Sequence, residues 1–267
     1  MLMEITKKGD EKLKGLLLRE WTLYKSWLFG SAVFSIGVIL ILPILLQRYL
    51  ITEAAIQEIR MVLMFLMLSF SVVNHFAQFN KSLNTDNGKK DMWLHNPHSM
   101  HTLIGAKLLF SLGIYFVSNI FITTAGIYFM SDVILGSFAQ FLILQLLILV
   151  VMLFVGISVS IIWLFFWTIY LEGKYWIGKL SLIATVVIFF LIASLLPKLF
   201  SFLSLNKVLN QGEISLKFIE GYLPTIALSN FIFDMGSIYI VEELFSWIMF
   251  VLLFWSVCKW LERVVTR

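Results

Sequence analysis

The sequence predicts an all-α integral membrane protein with six transmembrane helices, and three observations carry that prediction. Of 267 residues, 60% are apolar and only 13% are charged, and the mean hydropathy is +0.93, far from the composition of soluble domains. Six apolar stretches are each long enough to cross roughly 30 Å of hydrocarbon at about 1.5 Å per residue. No stretch shows the sustained period-two alternation of a membrane strand. Lipid offers no partner to backbone polar groups, so spans of this length are expected to be helices.

Residues 1-26 are predicted to form an amphipathic N-terminal helix. Leu13, Leu16, Leu17, Trp21, Leu23, Tyr24, Trp27 and Leu28 share one arc at the helical turn angle, while Lys12, Lys14, Arg19, Thr22, Lys25 and Ser26 share the other. Leu18 and Glu20 break the pattern. A basic amphipathic helix with tryptophan at its apolar margin is expected to lie in the headgroup layer before the chain turns inward.

The spans are placed near Trp27 to Leu46, Met61 to Phe79, Leu103 to Met130, Ile134 to Tyr170, Ile177 to Leu196, and Leu244 to Leu261. The first is a full span with no small-residue cleavage site after it, so it is expected to be retained rather than removed as a signal peptide. Fifteen of the twenty Lys and Arg residues lie before span one, in the segment from Asn80 to Lys107, between spans four and five, or at the C-terminus. The other five, Arg48, Arg60, Lys198, Lys207 and Lys217, lie on the opposite side. The positive-inside tendency then puts both termini and the Asn80 to Lys107 segment in the cytoplasm, in a multi-pass protein of the cell membrane. The basic residues form no patch interleaved with aromatics, so a nucleic-acid partner is not expected despite the net charge of +4.

Spans three and four are joined by only a few residues around Ser131 and Asp132 and form an antiparallel hairpin. The fourth run would reach roughly 55 Å as one helix, so it must tilt, project or break, with Gly156 as the expected weak point. Residues 198-243 are assigned to the outside. Within them Leu199 to Leu205 and Tyr222 to Phe233 are apolar but too short to span, and are expected to be re-entrant or interfacial.

Several patterns bear on chemistry. Gly173, Gly178 and Lys179 match the start of a G-x-x-x-x-G-K phosphate loop, but Leu180 stands where Ser or Thr would reach magnesium and no strand precedes it. His95, His98 and His101 recur every three residues near Asp91, yet Pro97 interrupts the helix that would align them, and no metal site is assigned. Cys258 is a lone thiol in an apolar run, read as a core residue. Trp163, Trp167 and Tyr170, with Tyr175 and Trp176, read as an interfacial aromatic belt. No carboxylate pair, metal set or activated nucleophile appears, so no catalytic residue is assigned. Asn74, His75 and Gln78 cluster near the inner end of span two, with Asn119, Gln140 and Gln145 in spans three and four. Such groups turn toward other helices or a wet path. Asn74, Gln78, Asn119, Gln140 and Gln145 are the candidate substrate path. No acidic or basic residue is placed deep in a span, which disfavours a cation-coupled carrier.

The Asn80 to Lys107 segment reads NKSLNTDNGKKDMWLHNPHSMHTLIGAK. Gly88, Asp91, Leu94, Pro97, Ser99 and Lys107 fall where membrane subunits of ABC-2 type transporters carry a cytoplasmic motif after span two, and the chain as a whole resembles such a permease as a single transmembrane domain over 1-267. Lys89, Lys90, Trp93 and Met100 depart from the usual pattern. The resemblance implies that residues 80-102 form a coupling loop, with a short coupling helix near Lys89 to His95 docking into a cytosolic ATPase. Trp93 and Leu94 would be its apolar anchors, between Gly88 and Pro97. It further implies a second copy of this chain or a related permease, ATP and magnesium held by the partner ATPase and no cofactor here, and a bacterial plasma membrane setting among lipids. The expected function is export of a hydrophobic or amphipathic substrate such as a lipid, antibiotic or peptide. The alternative is a membrane scaffold or immunity protein that binds a peptide or lipid without transport.

Overall fold

The computed structural model describes residues 2–49, 53–87, 99–130, 134–203, 208–226 and 236–265. Of the described residues 89% are helical, so the backbone groups of the apolar stretches bond within their own helices, as hydrocarbon requires. In order, the long helices are α1 (Leu2–Tyr49), α2 (Glu53–Asn87), α3 (Met100–Phe129), α4 (Phe138–Ile177), α5 (Ser181–Phe202) and α7 (Ile240–Val265), with a one-turn helix α6 (Lys217–Glu220). Five helical runs among the described residues are long and apolar enough to cross a membrane: Phe29–Leu46, Ile59–Thr85, Met100–Phe129, Phe138–Phe202 and Ile240–Val264.

Two compact units divide the chain. The first comprises Met1–Lys89, Thr102–Ile157 and Tyr222–Phe233. Its helices are antiparallel neighbours in sequence order, as the cross-helix bonds show. Partners run from Glu20 with Ser82 to Trp27 with Asn74 between α1 and α2. Between α2 and α3 they run from Ser71 with Asn119, through His75 with Ser111, to Ser82 with Lys107. Between α3 and α4 they are Tyr115 with Met152 and Thr124 with Gln145. A core of Ile39, Met61, Met64, Met67, Leu68, Ile122, Met130 and Ile134 fills the space between these helices. Arg60 donates to the carbonyl of Phe129 at 2.9 Å, putting a cation on the electronegative end of α3.

Two sequence expectations change here. The N-terminal segment is not a separate interfacial helix, because α1 is one 48-residue helix running without interruption through Trp27. From Glu20 onward it is held antiparallel to α2 by side-chain bonds, so it runs with the bundle. At about 1.5 Å per residue it is about 72 Å long, more than a bilayer with its headgroups. Nor does Gly156 break α4, which is continuous from Phe138 to Ile177. A Cβ on Gly156 would lie 2.7 Å from a ring carbon of Tyr115, so the glycine lets α3 and α4 approach closely.

The second unit comprises Lys90–His101, Ser158–Gly221 and Asp234–Arg267. Its apolar run from Ser158 to Phe202 is not one rod. Ser181 donates to the carbonyl of Tyr170 at 2.6 Å and the rings of Phe166 and Phe189 sit 5.2 Å apart. Along one helix the second pair would be about 35 Å apart, so α5 folds back along α4. The reversal is a single 3-10 turn, Gly178–Leu180, with Gly178 at φ +57°, a conformation that costs other residues. Gly173 leaves room for Ser181 against α4. Both glycines of the phosphate-loop lookalike thus belong to this reversal. Glu172 accepts from Trp176 at 3.3 Å and from Trp260 of α7 at 3.4 Å. Of the expected aromatic belt, Tyr175 and Trp176 are exposed while Trp167 is buried.

The stretch expected to be re-entrant takes another form in its described part. Residues 199–202 are simply the end of α5. Among the described residues four short strands occur in the irregular regions: β1 (Ile134–Leu135) pairs with β3 (Thr225–Ile226), and β2 (Glu213–Ser215) with β4 (Ser237–Tyr239), both antiparallel. They are the departure from an all-α chain, and each lies in a loop between helices, where pairing satisfies backbone groups the helices leave open.

Candidate functional site

The site of interest is the end of the first unit from which the Asn80 to Lys107 segment leaves and to which it returns. The coupling residues expected there, Gly88, Asp91, Trp93, Leu94 and Pro97, lie outside the described residues, as do His95 and His98. Ser99 is exposed just before α3. What the structure describes is how the two flanking helices are fastened.

Lys107, seven residues into α3, is buried and forms an ion pair with Glu20 of α1: Nζ to Oε1 is 2.9 Å and each side chain is 3% exposed. Ser82 of α2 completes the junction. Its hydroxyl accepts from Lys107 Nζ at 2.6 Å and donates to Glu20 Oε2 at 2.8 Å, and its carbonyl accepts from Nζ at 3.1 Å. A buried charge pair is tolerable only when the remaining donors and acceptors find partners too, and here both carboxylate oxygens do. Three helices meet at one point.

The same face of α1 continues the seam. Tyr24 and Thr85 hydroxyls are 3.5 Å apart, and the Lys81 ammonium lies 5.1 Å from the Trp27 ring centroid and 5.9 Å from that of Tyr24, within the range of a cation–π contact. Trp27 Nε1 donates to Asn74 Oδ1 at 2.7 Å. Glu20, which broke the amphipathic pattern, is therefore the centre of the contact between α1 and the bundle. Sequence reasoning did not pair it with Lys107, although the signal existed: each is a charge out of place in an apolar context.

The path candidates are not brought together as one lining. Asn74 bonds α1, as above. Asn119 is buried and accepts from Ser71 at 2.8 Å while donating to the Tyr115 carbonyl at 3.0 Å. Gln145 donates to Thr124 at 2.7 Å. Gln140 sits at the start of α4 in a capping box: its side-chain oxygen accepts from the Ser137 N–H at 2.7 Å and its own N–H donates to Ser137 Oγ at 3.4 Å. Its amide nitrogen donates to the Leu223 carbonyl at 3.3 Å, so both polar atoms are engaged. Gln78 is different. It is buried, and its amide nitrogen has no hydrogen-bond partner among the described residues.

Among the described residues no group of His, Cys, Asp and Glu is placed to hold a metal ion. The junction joins the helix entering the loop, the helix leaving it and the N-terminal helix. Comparison with known proteins finds no matching family model, no matching curated relative and no matching solved structure.

Proposed function

We propose that this chain is the membrane-spanning subunit of an ATP-driven exporter. Two such subunits, identical or paired with a related one, enclose a path, and two cytosolic ATPases act on the Asn80 to Lys107 loop beneath it. Counting α4 and α5 as separate spans brings the five apolar runs to six, with both termini in the cytoplasm. ATP binding moves the loops and biases the bundle between inward and outward openings, carrying a hydrophobic or amphipathic substrate out of the cytoplasm or inner leaflet.

The observation that best supports this reading is the Glu20–Ser82–Lys107 junction. A loop that receives force is useful only if its ends are rigidly tied to what must move, and this junction ties both flanking helices to α1. The unpartnered nitrogen of Gln78, one turn from Ser82 on α2, supports a polar contact with water or cargo in the same region.

Trp93 tests the reading. The full chain, purified from its native membranes, is expected to bring with it an ATPase carrying a complete phosphate-binding motif, and Trp93→Ala is expected to lose that ATPase while remaining folded. Undiminished ATPase recovery with unchanged export in Trp93→Ala would sink the docking assignment. Substrate retention without any ATP-dependent export would favour the scaffold or immunity role instead.

A further inference from the structure

Beside the face that α1 turns to α2, a second apolar face is left open. Leu18, Trp21 and Phe29 remain exposed, and with Leu109, Gly113 and Val117 of α3 they line a groove of about 860 Å³. Lys14 stands at its N-terminal end and is the only charged residue among the described residues of the lining. We propose that this groove holds one acidic phospholipid, its acyl chain along the α1 and α3 walls and its phosphate at Lys14.

Length, charge and polarity argue for that occupant. Lys14 to Phe29 is about 22 Å along the helix at 1.5 Å per residue, about half of a bilayer some 40–45 Å thick with its headgroups. The groove is therefore one leaflet deep. Lys14 lies about 9 Å beyond the level at which Glu20 meets Lys107, where a headgroup belongs, while Leu109 and the rest of the α3 wall lie on the hydrocarbon side. Lys14 is exposed and makes no ion pair with the described residues, so its charge is available to a phosphate. The other lining side chains carry no hydrogen-bonding group except the Trp21 indole N–H. A peptide backbone seated there would leave its amides largely unpaired, whereas an acyl chain has none to satisfy. This inference stands apart from the transport reading, since it needs only a bilayer.

Gly113 makes the groove open to test. A Cβ there meets nothing within 4 Å, so Gly113→Phe would occupy the groove without displacing protein atoms at its root. The full chain is reconstituted in vesicles of equal phosphatidylglycerol and phosphatidylcholine, extracted in mild detergent, and the retained lipid counted by native mass spectrometry. Wild type is expected to retain one phosphatidylglycerol in preference to phosphatidylcholine. Lys14→Glu should reduce that preference about fivefold or more, and Gly113→Phe should abolish retention of the single lipid. Lys25→Glu, the same charge change on α1 outside the groove, should leave the preference intact. Equal retention of the two lipids by wild type, an unchanged preference in Lys14→Glu, or an equal loss in Lys25→Glu overturns the proposal. Should Gly113→Phe fail to fold, the two lysine variants decide alone.

Discussion

Lys107 and Glu20 are 87 residues apart in sequence and 2.9 Å apart in space, in a bundle end where both are almost fully buried. Removing either partner leaves the other as an uncompensated charge in an apolar setting, at a cost of about 3–5 kcal/mol. Glu20→Ala and Lys107→Ala are each expected to lower the thermal unfolding midpoint in detergent sharply. The double variant Glu20→Leu with Lys107→Met should recover much of the loss, since apolar replacement of a whole pair is often neutral. A double variant as unstable as the sum of the singles would show that the charges do not act on each other.

The same cycle separates structural from path-lining polar groups. Asn119 and Ser71 bond across α2 and α3, and such membrane hydrogen bonds average about 0.6 kcal/mol. Asn119→Leu and Ser71→Ala are expected to be non-additive by about that amount in unfolding measurements. Strict additivity would release Asn119 from its structural role.

Gly156 is expected to resist enlargement. A side chain there meets Tyr115 at 2.7 Å, and overpacking of this kind costs about 1–3 kcal/mol. Gly156→Leu should destabilise the folded chain, and adding Tyr115→Ala should restore part of the loss. If the leucine variant melts like wild type, α3 and α4 are not packed through this glycine.

At Gly178 the backbone, not space, sets the constraint, because no atom lies within 4 Å of a Cβ there and φ is +57°. Gly178→Ala is expected to cost about 1–2 kcal/mol, with Gly178→Asn milder because asparagine visits this region more readily. Both are read in thermal unfolding. Equal stability of the three proteins would mean that the reversal between α4 and α5 does not use a left-handed residue.

Much of the architecture was readable from the chain. The apolar stretches became helices because hydrocarbon forces backbone groups to pair locally, and that rule needs no tertiary information. The turn near Gly178 was visible for the same reason, as a break in a long apolar run, while the connection expected at Ser131 and Asp132 lies outside the described residues. Gly156 was misread because a glycine within a helical run carries two meanings, a weak point or a close approach, and only the presence of Tyr115 opposite selects the second. Gln140, expected in the path, instead caps α4, because it stands three residues after Ser137 and closes a capping box with it. The short strand pairs join segments far apart in sequence, such as Ile134 with Ile226, which no local pattern announces.

The sequence by itself determined that this is a chain of long apolar helices, placed α3 to within a few residues at both ends, and showed which face of the first helix is apolar. Tertiary structure decided what that amphipathic face is for. Helical periodicity reports which side of a helix is apolar but not what lies opposite, so Glu20 and Leu18 looked like two faults in one pattern. Packing gives them different reasons: Glu20 turns in to meet Lys107 and Ser82, while Leu18 turns to the groove with α3. A pairing across 87 residues depends on three helices converging, and no local rule contains that convergence.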